Sequence, residues 1–215
     1  MGIKSTFLGA AVAAVALTGA ASAAQLSFSG TGFTATLPGG AGNTSDFNLG
    51  SSTGLVAGTD QVTVFNSTNV GGLQTSLPGV IKVEYLGSEA GNENAAFELT
   101  SGLTALFNNK TSVIGDMATF IDDGGLIDFL FRDISDGQDI KNADTSVAPV
   151  GLSIAFSSIS ANGRSVIALF GDGEGDSDYD DIAIRISTVP VPAAGLLLLT
   201  AVGGLGFAKR RKQKS

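Results

Sequence analysis

Apolar and polar residues alternate along most of the chain between residues 25 and 188, with a period close to two. This is the period of a β-strand that buries one face. The alternation is clearest in the runs 81–85, 127–131, 152–156 and 182–186, with shorter versions over 26–28 and 33–37. Clusters of Gly, Asn and Asp separate the runs and predict turns at residues 38–43, 69–72, 87–94, 122–125 and 161–163. The pattern predicts an all-β fold, an antiparallel β-sandwich, and leaves the strand connections (a jelly roll among them) open.

The first 24 residues have the three-part pattern of a secretory signal peptide. Lys4 precedes an apolar run over residues 7–17, and small residues follow as far as Ala23. We expect signal peptidase to cleave after Ala23 or Ala24. The alternative is an N-terminal membrane anchor, which needs about 20 apolar residues, more than this short Ala-rich run supplies.

The last 27 residues, 189–215, combine a Pro-containing segment, an apolar run and a basic end. The run over residues 193–208 is uncharged and would span about 24 Å as a helix at ~1.5 Å per residue. Snorkelling cations can extend it across a bilayer core of ~30 Å. The basic cluster should stay cytoplasmic, which places the upstream chain outside the inner membrane. A buried core helix is the alternative, and a basic cluster makes a poor end for one. The cluster consists of Lys209, Arg210, Arg211 and Lys212.

This tail resembles the PEP-CTERM class of bacterial sorting signals, in the variant whose motif reads Val-Pro-Leu-Pro-Ala. Val191 stands where that variant has Leu. The resemblance implies transient insertion in the inner membrane of a Gram-negative bacterium, processing by an exosortase, and delivery to the cell surface or an exopolysaccharide-containing matrix. It divides the chain into a signal peptide (1–24), an exported domain (25–188) and a sorting tail (189–215). The matching motif residues are Val189, Pro190, Val191, Pro192 and Ala193.

The exported part is strongly acidic. Six of the 12 cations and all 20 acids fall between residues 25 and 188, which gives a formal charge of −14. Such a surface repels nucleic acid and attracts cations, so we expect no nucleic-acid partner. The chain also has no Cys and no His. Disulfides, thiolate chemistry and a Ser-His-Asp triad are therefore excluded.

One acidic stretch stands out, between the expected strands 165–170 and 182–186. Six carboxylates within ten residues, mostly on alternate positions in a Gly-rich segment, repel one another unless a cation or water separates them. Such spacing presents oxygens to Ca²⁺, although the pattern is not that of an EF-hand. A Ca²⁺ site and a solvated acidic turn are both open interpretations. The candidate ligands are Asp172, Glu174, Asp176, Asp178, Asp180 and Asp181.

This stretch, together with the segment 85–95, resembles the ectodomains of a group of exported PEP-CTERM proteins. In those proteins an Asp-rich stretch and one final strand precede the sorting motif. The resemblance implies that residues 25–188 form one unit, and it carries no activity with it.

Two classes of function fit these features. The first is a non-enzymatic surface or matrix protein, a structural or binding module that contacts exopolysaccharide or other matrix proteins, with Ca²⁺ as its cofactor. The alternative is a secreted glycoside hydrolase that uses two carboxylates. The chain has no Trp for sugar stacking, although Tyr85, Tyr179 or a Phe could substitute. The acids available for catalysis include Asp122, Asp123, Asp128 and Asp133.

Overall fold

Antiparallel strands make up nearly all the regular structure, which confirms the predicted all-β class. The computed structural model describes residues 24–39, 49–173 and 179–190. These ranges contain one short helix, α1 (Leu49–Thr53), and a 3-10 turn over Thr145–Val147. The strands are β1 (Leu26–Gly30), β2 (Phe33–Thr36), β3 (Gln61–Phe65), β4 (Gly71–Thr75), β5 (Gly79–Gly87), β6 (Asn94–Glu98), β7 (Thr104–Asn108), β8 (Met117–Asp122), β9 (Gly125–Leu126), β10 (Phe129–Asp133), β11 (Gln138–Lys141), β12 (Ser153–Phe156), β13 (Ser165–Gly171) and β14 (Ile182–Val189).

The largest sheet has seven strands, in the order β2-β3-β12-β13-β14-β5-β8. Its last strand in sequence, β14, lies inside the sheet, between β13 and β5. Ile186 of β14 pairs with Val166 on one side and Val83 on the other. The predicted strands at 81–85 and 182–186 are therefore neighbours, and their alternating apolar residues are buried.

Two smaller sheets complete the fold, in the orders β11-β10-β6-β7 and β1-β4-β9. One cluster of buried side chains draws on all three sheets, so they share a core. Aromatic rings join them within it: Phe131 of β10 stacks on Phe170 of β13 with ring centroids 5.3 Å apart, and Phe28 of β1 lies 5.5 Å from Phe156 of β12. Aromatic pairs at these separations add to the stability gained by burying the rings.

A second cluster of apolar residues lies around the same large sheet. It includes Leu49 of α1, Leu169 of β13 and Ala155 of β12. Both faces of strands β12 and β13 are consequently covered, since every residue but Ser165 in them is buried. The alternation of apolar and polar residues carries no signal for the short helix that contributes to this cluster.

The predicted turn at residues 69–72 is wrong in its second half, because Gly71 and Gly72 belong to β4. Gly71 opposes Gly30 of β1, with φ values of +145° and +100°. A Cβ atom added to Gly71 would lie 2.1 Å from the Ser29 carbonyl oxygen. The two backbones approach closely within paired strands here, which only glycines permit. In the sequence, the same glycines have the composition of a turn.

Asn142, which follows β11, ties two of the sheets together. Its side chain is fully buried and lies against β4. The amide Nδ2 donates to the carbonyl oxygens of Leu73 and Ile127 at 2.8 Å each, and Oδ1 accepts from Leu73 N at 2.7 Å. Its backbone N–H donates to Phe129 O of β10 at 2.9 Å. One residue therefore fixes β4 relative to the start of β10.

Most of the predicted targeting segments lie outside the described residues. None of the helices within the described ranges is long and apolar enough to cross a membrane.

Replacing Asn142 with Ala should lower the free energy of unfolding by about 3 kcal/mol, since three buried hydrogen bonds at ~1 kcal/mol each are lost. Denaturant titration of the purified protein measures this change. Asn162→Ala is the control, because Asn162 is exposed and water can replace its hydrogen bonds. Equal effects of the two substitutions would contradict the role given to Asn142.

Candidate acidic site

The acidic stretch and the loop that follows β5 meet at a polar pocket of about 230 Å³. Both segments carry the resemblance to exported ectodomains that the sequence suggests. The pocket is lined by Glu89, Ala90, Gly91, Asn92, Asp172, Asp180 and Asp181.

Strand pairing explains why two distant segments converge. The antiparallel partners β13 and β14 place Asp172 just after one strand and Asp181 just before the next. Because β14 also pairs with β5, the end of β5 at Gly87 lies beside Ala183. Backbone contacts then join the segments: Glu89 N donates to Asp180 O at 2.9 Å, and Ser88 Oγ donates to Asp181 O at 2.5 Å.

Two of the pocket carboxylates are buried rather than solvated. Asp172 is 7% exposed and Asp180 1% exposed. Asp181 holds the turn closed, since its Oδ2 accepts from Asp172 N at 2.7 Å. Burying a carboxylate costs free energy unless its charge is compensated. A fully solvated turn, the simpler of the two sequence interpretations, does not require such burial.

Asn94, the first residue of β6, brings an unsatisfied acceptor to the same place. The residue is fully buried, and its Nδ2 lies 3.5 Å from Asp172 Oδ2. Its Oδ1 is buried and has no hydrogen-bond partner in the part of the chain that the structure describes. Buried side-chain oxygens are nearly always paired, so an orphan beside a buried carboxylate points to an ion or water there. The sequence placed Asn94 in the predicted turn over residues 87–94 and gave no sign that it begins a strand and is buried.

A positive charge already sits on the pocket's outer loop. Lys110 Nζ donates to the carbonyl oxygens of Ala90 and Gly91 at 3.1 and 2.8 Å. Asn109 supports the same loop, because its Nδ2 donates to Asn92 O at 2.8 Å. Three carbonyl oxygens of the loop therefore accept from side chains, two of them from a cation.

The structure brings half of the predicted metal ligands to this pocket. Asp172, Asp180 and Asp181 line it, whereas Glu174, Asp176 and Asp178 lie outside the described residues. Within the described part of the chain, no three acidic side chains are grouped closely enough to hold a metal. Any cation here would need oxygens from other groups as well.

Tyr179, at the end of the acidic stretch, has a φ of +60°, which is uncommon for a residue with a side chain. Its ring belongs to the second apolar cluster, and burial raises the pKa of its hydroxyl. Tyr85 lies in the main core against Phe107, and burial raises its pKa to about 12. Neither tyrosine is therefore an exposed platform for sugar stacking.

The acids proposed for the alternative hydrolase have varied surroundings. Asp122 accepts from Thr75 Oγ1 at 2.5 Å and from Gly124 N at 3.1 Å, and Asp133 accepts from Ser135 N at 2.8 Å. These two buried carboxylates hold turns. Asp123 and Asp128 are both exposed. Asp123 and Glu98 line a groove of about 430 Å³, which Asp128 does not border.

Glu98 is the carboxylate with the most distinct electrostatics in that groove. Burial raises its pKa, but hydrogen bonds from Ser101, Thr100 and Thr104 outweigh burial and bring the pKa down to about 2. A glycosidase acid needs a raised pKa, so this shift runs in the opposite direction. The groove gives the hydrolase alternative no support.

The sorting and signal residues are described only where they join the domain. Ala24 is buried, Val189 is the last residue of β14 and pairs with Val80, and Pro190 follows it exposed. The other targeting residues lie outside the described ranges: Ala23, Val191, Pro192, Ala193, Lys209, Arg210, Arg211 and Lys212.

Glu98→Gln should destabilise the protein at pH 7 by about 1–3 kcal/mol, because an amide cannot accept all the hydrogen bonds made to the carboxylate. The folded pKa of about 2 lies below the ordinary 4.5, so this stabilisation is complete above pH 4.5 and is lost as the pH falls toward 2. Unfolding free energies at pH 7 and pH 3 should show the difference from wild type shrinking. Asp128→Asn, at an exposed carboxylate, should change little at either pH. A pH-independent effect of Glu98→Gln would contradict the assignment.

Comparison of the chain with protein-family models, with curated proteins and with solved structures gave no match. The site described above therefore rests on the geometry and chemistry of this chain's own residues.

Proposed function

We propose that this chain is an exported surface or matrix protein, sorted by an exosortase, whose β domain acts as a Ca²⁺-dependent structural or binding module. The observation that carries the cation site is the pocket lined by buried Asp172 and Asp180. Beside Asp172 lies buried Asn94, whose Oδ1 has no hydrogen-bond partner among the described residues. The targeting route is supported by the two terminal segments of the sequence.

The domain is proposed to be a β-sandwich. The support is the shared core, to which the inner side chains of the seven-stranded and four-stranded sheets both contribute. Two sheets that bury one apolar cluster between them form this architecture.

Calcium fits the oxygen chemistry of the pocket. Ca²⁺ takes six to eight oxygens from carboxylates, amide carbonyls, backbone carbonyls and water, in flexible geometry. Asp172, Asp180 and Asn94 Oδ1 would supply part of this set. The sequence offers Glu174, Asp176 and Asp178 nearby for the rest. Mg²⁺ demands a near-ideal octahedron and suits a mixed, flexible set less well.

A bound Ca²⁺ ion would also explain how so acidic a domain meets a matrix. A formal charge of −14 between residues 25 and 188 repels acidic polymers and acidic neighbours. A cation held at the rim of the domain can share its remaining coordination positions with a carboxylate or hydroxyl group of an exopolysaccharide or a matrix protein. The proposed contact is therefore Ca²⁺-dependent.

Adding about 10 mM Ca²⁺ to the purified exported protein should raise its melting temperature by about 5–10 °C. This follows from a Kd of ~10⁻⁴ M, which is typical of extracellular sites, and from ~2.7 kcal/mol of stabilisation at 100 times that Kd. Calorimetry with Ca²⁺, with Mg²⁺ and with chelator measures the shift, which should be much smaller in Mg²⁺. Equal melting temperatures in Ca²⁺ and in chelator would contradict the Ca²⁺ site and favour the solvated acidic turn.

Three variants locate the ion. Asp172→Asn with Asp180→Asn should abolish the Ca²⁺ shift, and Asp176→Asn with Asp178→Asn tests the ligands that only the sequence predicts. Asp123→Asn with Asp128→Asn changes the net charge equally at exposed positions and should leave the shift intact.

Sorting gives a separate prediction. Full-length protein should be a minor membrane-bound precursor, and the mature form should lack the basic end that begins at Lys209. Deleting the exosortase of the host should make the precursor accumulate, and Pro190→Ala with Pro192→Ala should slow processing while leaving membrane insertion intact, because the prolines keep the motif extended. Mass spectrometry and immunoblotting of cell fractions measure these changes. Unchanged processing in both experiments would make the tail a plain anchor.

A further inference from the structure

The sequence leaves two positions open for signal-peptide cleavage, and both satisfy the preference for small residues. A cut after Ala23 has Ala21 two positions before it, and a cut after Ala24 has Ser22 in that place. We infer that the bond cut is Ala23–Ala24, so that Ala24 is the first residue of the mature protein. The inference rests on the proposed export and identifies its cleavage site.

Ala24 belongs to the folded domain. Its carbonyl oxygen accepts a hydrogen bond from Thr188 Oγ1 at 2.8 Å, near the end of β14. Ala24 is 7% exposed and Thr188 is 6% exposed, so this bond is shielded from water. Without the Ala24 carbonyl, the Thr188 hydroxyl would be left in a buried position without this acceptor.

The next residues continue the same attachment. Gln25 N donates to Ser76 Oγ and Gln25 O accepts from Ser76 N, both at 2.9 Å. Leu26 N donates to Gly163 O at 2.7 Å. The peptide group between Ala24 and Gln25 therefore has both its carbonyl and its N–H bonded within the domain. The mature N-terminal segment is therefore bonded to the domain from Ala24 onward.

The two cuts leave different products. In each, water adds across one peptide bond, so that its carbonyl carbon becomes a carboxylate and its nitrogen an α-ammonium group. A cut at Ala23–Ala24 keeps the Ala24 carbonyl within the mature chain. A cut at Ala24–Gln25 removes Ala24 and the acceptor of Thr188 with it. Only the first product retains the contact that joins the mature N-terminus to the strand leading into the sorting motif.

The first test is the N-terminus of the exported protein, made from the full-length gene in a Gram-negative host and analysed by intact mass and N-terminal peptide mass. Ala24 is the expected first residue. A Gln25 start, free or cyclised to pyroglutamate, would overturn the inference while leaving export intact. Retention of Met1 would overturn both.

A double-mutant cycle in the full-length gene tests the physical reason. Deletion of Ala24 and Thr188→Val should each lower the melting temperature of the exported protein by roughly 2–4 °C, the loss of one buried hydrogen bond. Combined, they should lower it no further than the deletion alone, because they remove two halves of one contact. Additive effects would overturn the assigned contact. Thr34→Val, at an exposed residue of β2, is the control. It should leave the melting temperature unchanged both in the wild type and in the Ala24 deletion. All samples are measured in chelator, so the result does not depend on the proposed Ca²⁺ site.

Discussion

The pairing of β14 with both β13 and β5 is the constraint on which the rest of the domain depends. This strand closes the largest sheet and contributes alternate isoleucines to the core. One end of it fixes the acidic stretch against the loop after β5, and the other end reaches the N-terminal residue of the described domain. A strand that is last in sequence and interior in space also means that the sheet is completed only when almost the whole chain is present. Strands β5 and β13 therefore lack the strand that joins them until the last described strand is present.

Alternation predicted the strands that have one buried and one more exposed face. In β5, Ile81, Val83 and Tyr85 are buried while Lys82 and Glu84 between them are not. The signal fails where both faces are covered, as in β13, and where small residues fill the core, as Ala95 and Ala96 do in β6. Strand order is a different kind of information, because it depends on tertiary pairing between residues far apart and leaves no local mark on the sequence.

For the acidic site, too, the sequence predicted local features but not tertiary contacts. Repulsion among closely spaced carboxylates is local, so the sequence identified Asp172, Asp180 and Asp181 as chemically unusual. Asn94 lies 78 residues from Asp172 and reaches it only because β6 begins beside the pocket. The burial of Asp180 could not be predicted either, since the composition of an Asp-rich, Gly-rich segment predicts exposure to solvent. Composition thus predicted the negative charge of the site. Its shape and the nearby Oδ1 of Asn94 depend on the fold.

The two ends of the described domain lie far from the acidic pocket. The pocket lies at the start of β14, whereas Ala24 and Val189 lie at its finish, seven residues along. At ~3.3 Å per residue the strand separates them by about 23 Å. Ala24 and Val189 therefore lie together at one end of the strand, and the pocket lies at the other. Because the electrostatic screening length is ~10 Å at 0.1 M salt, a charge located at Ala24 or Val189 would be largely screened from the pocket. The attraction of the pocket for a cation is therefore set by the carboxylates that line it.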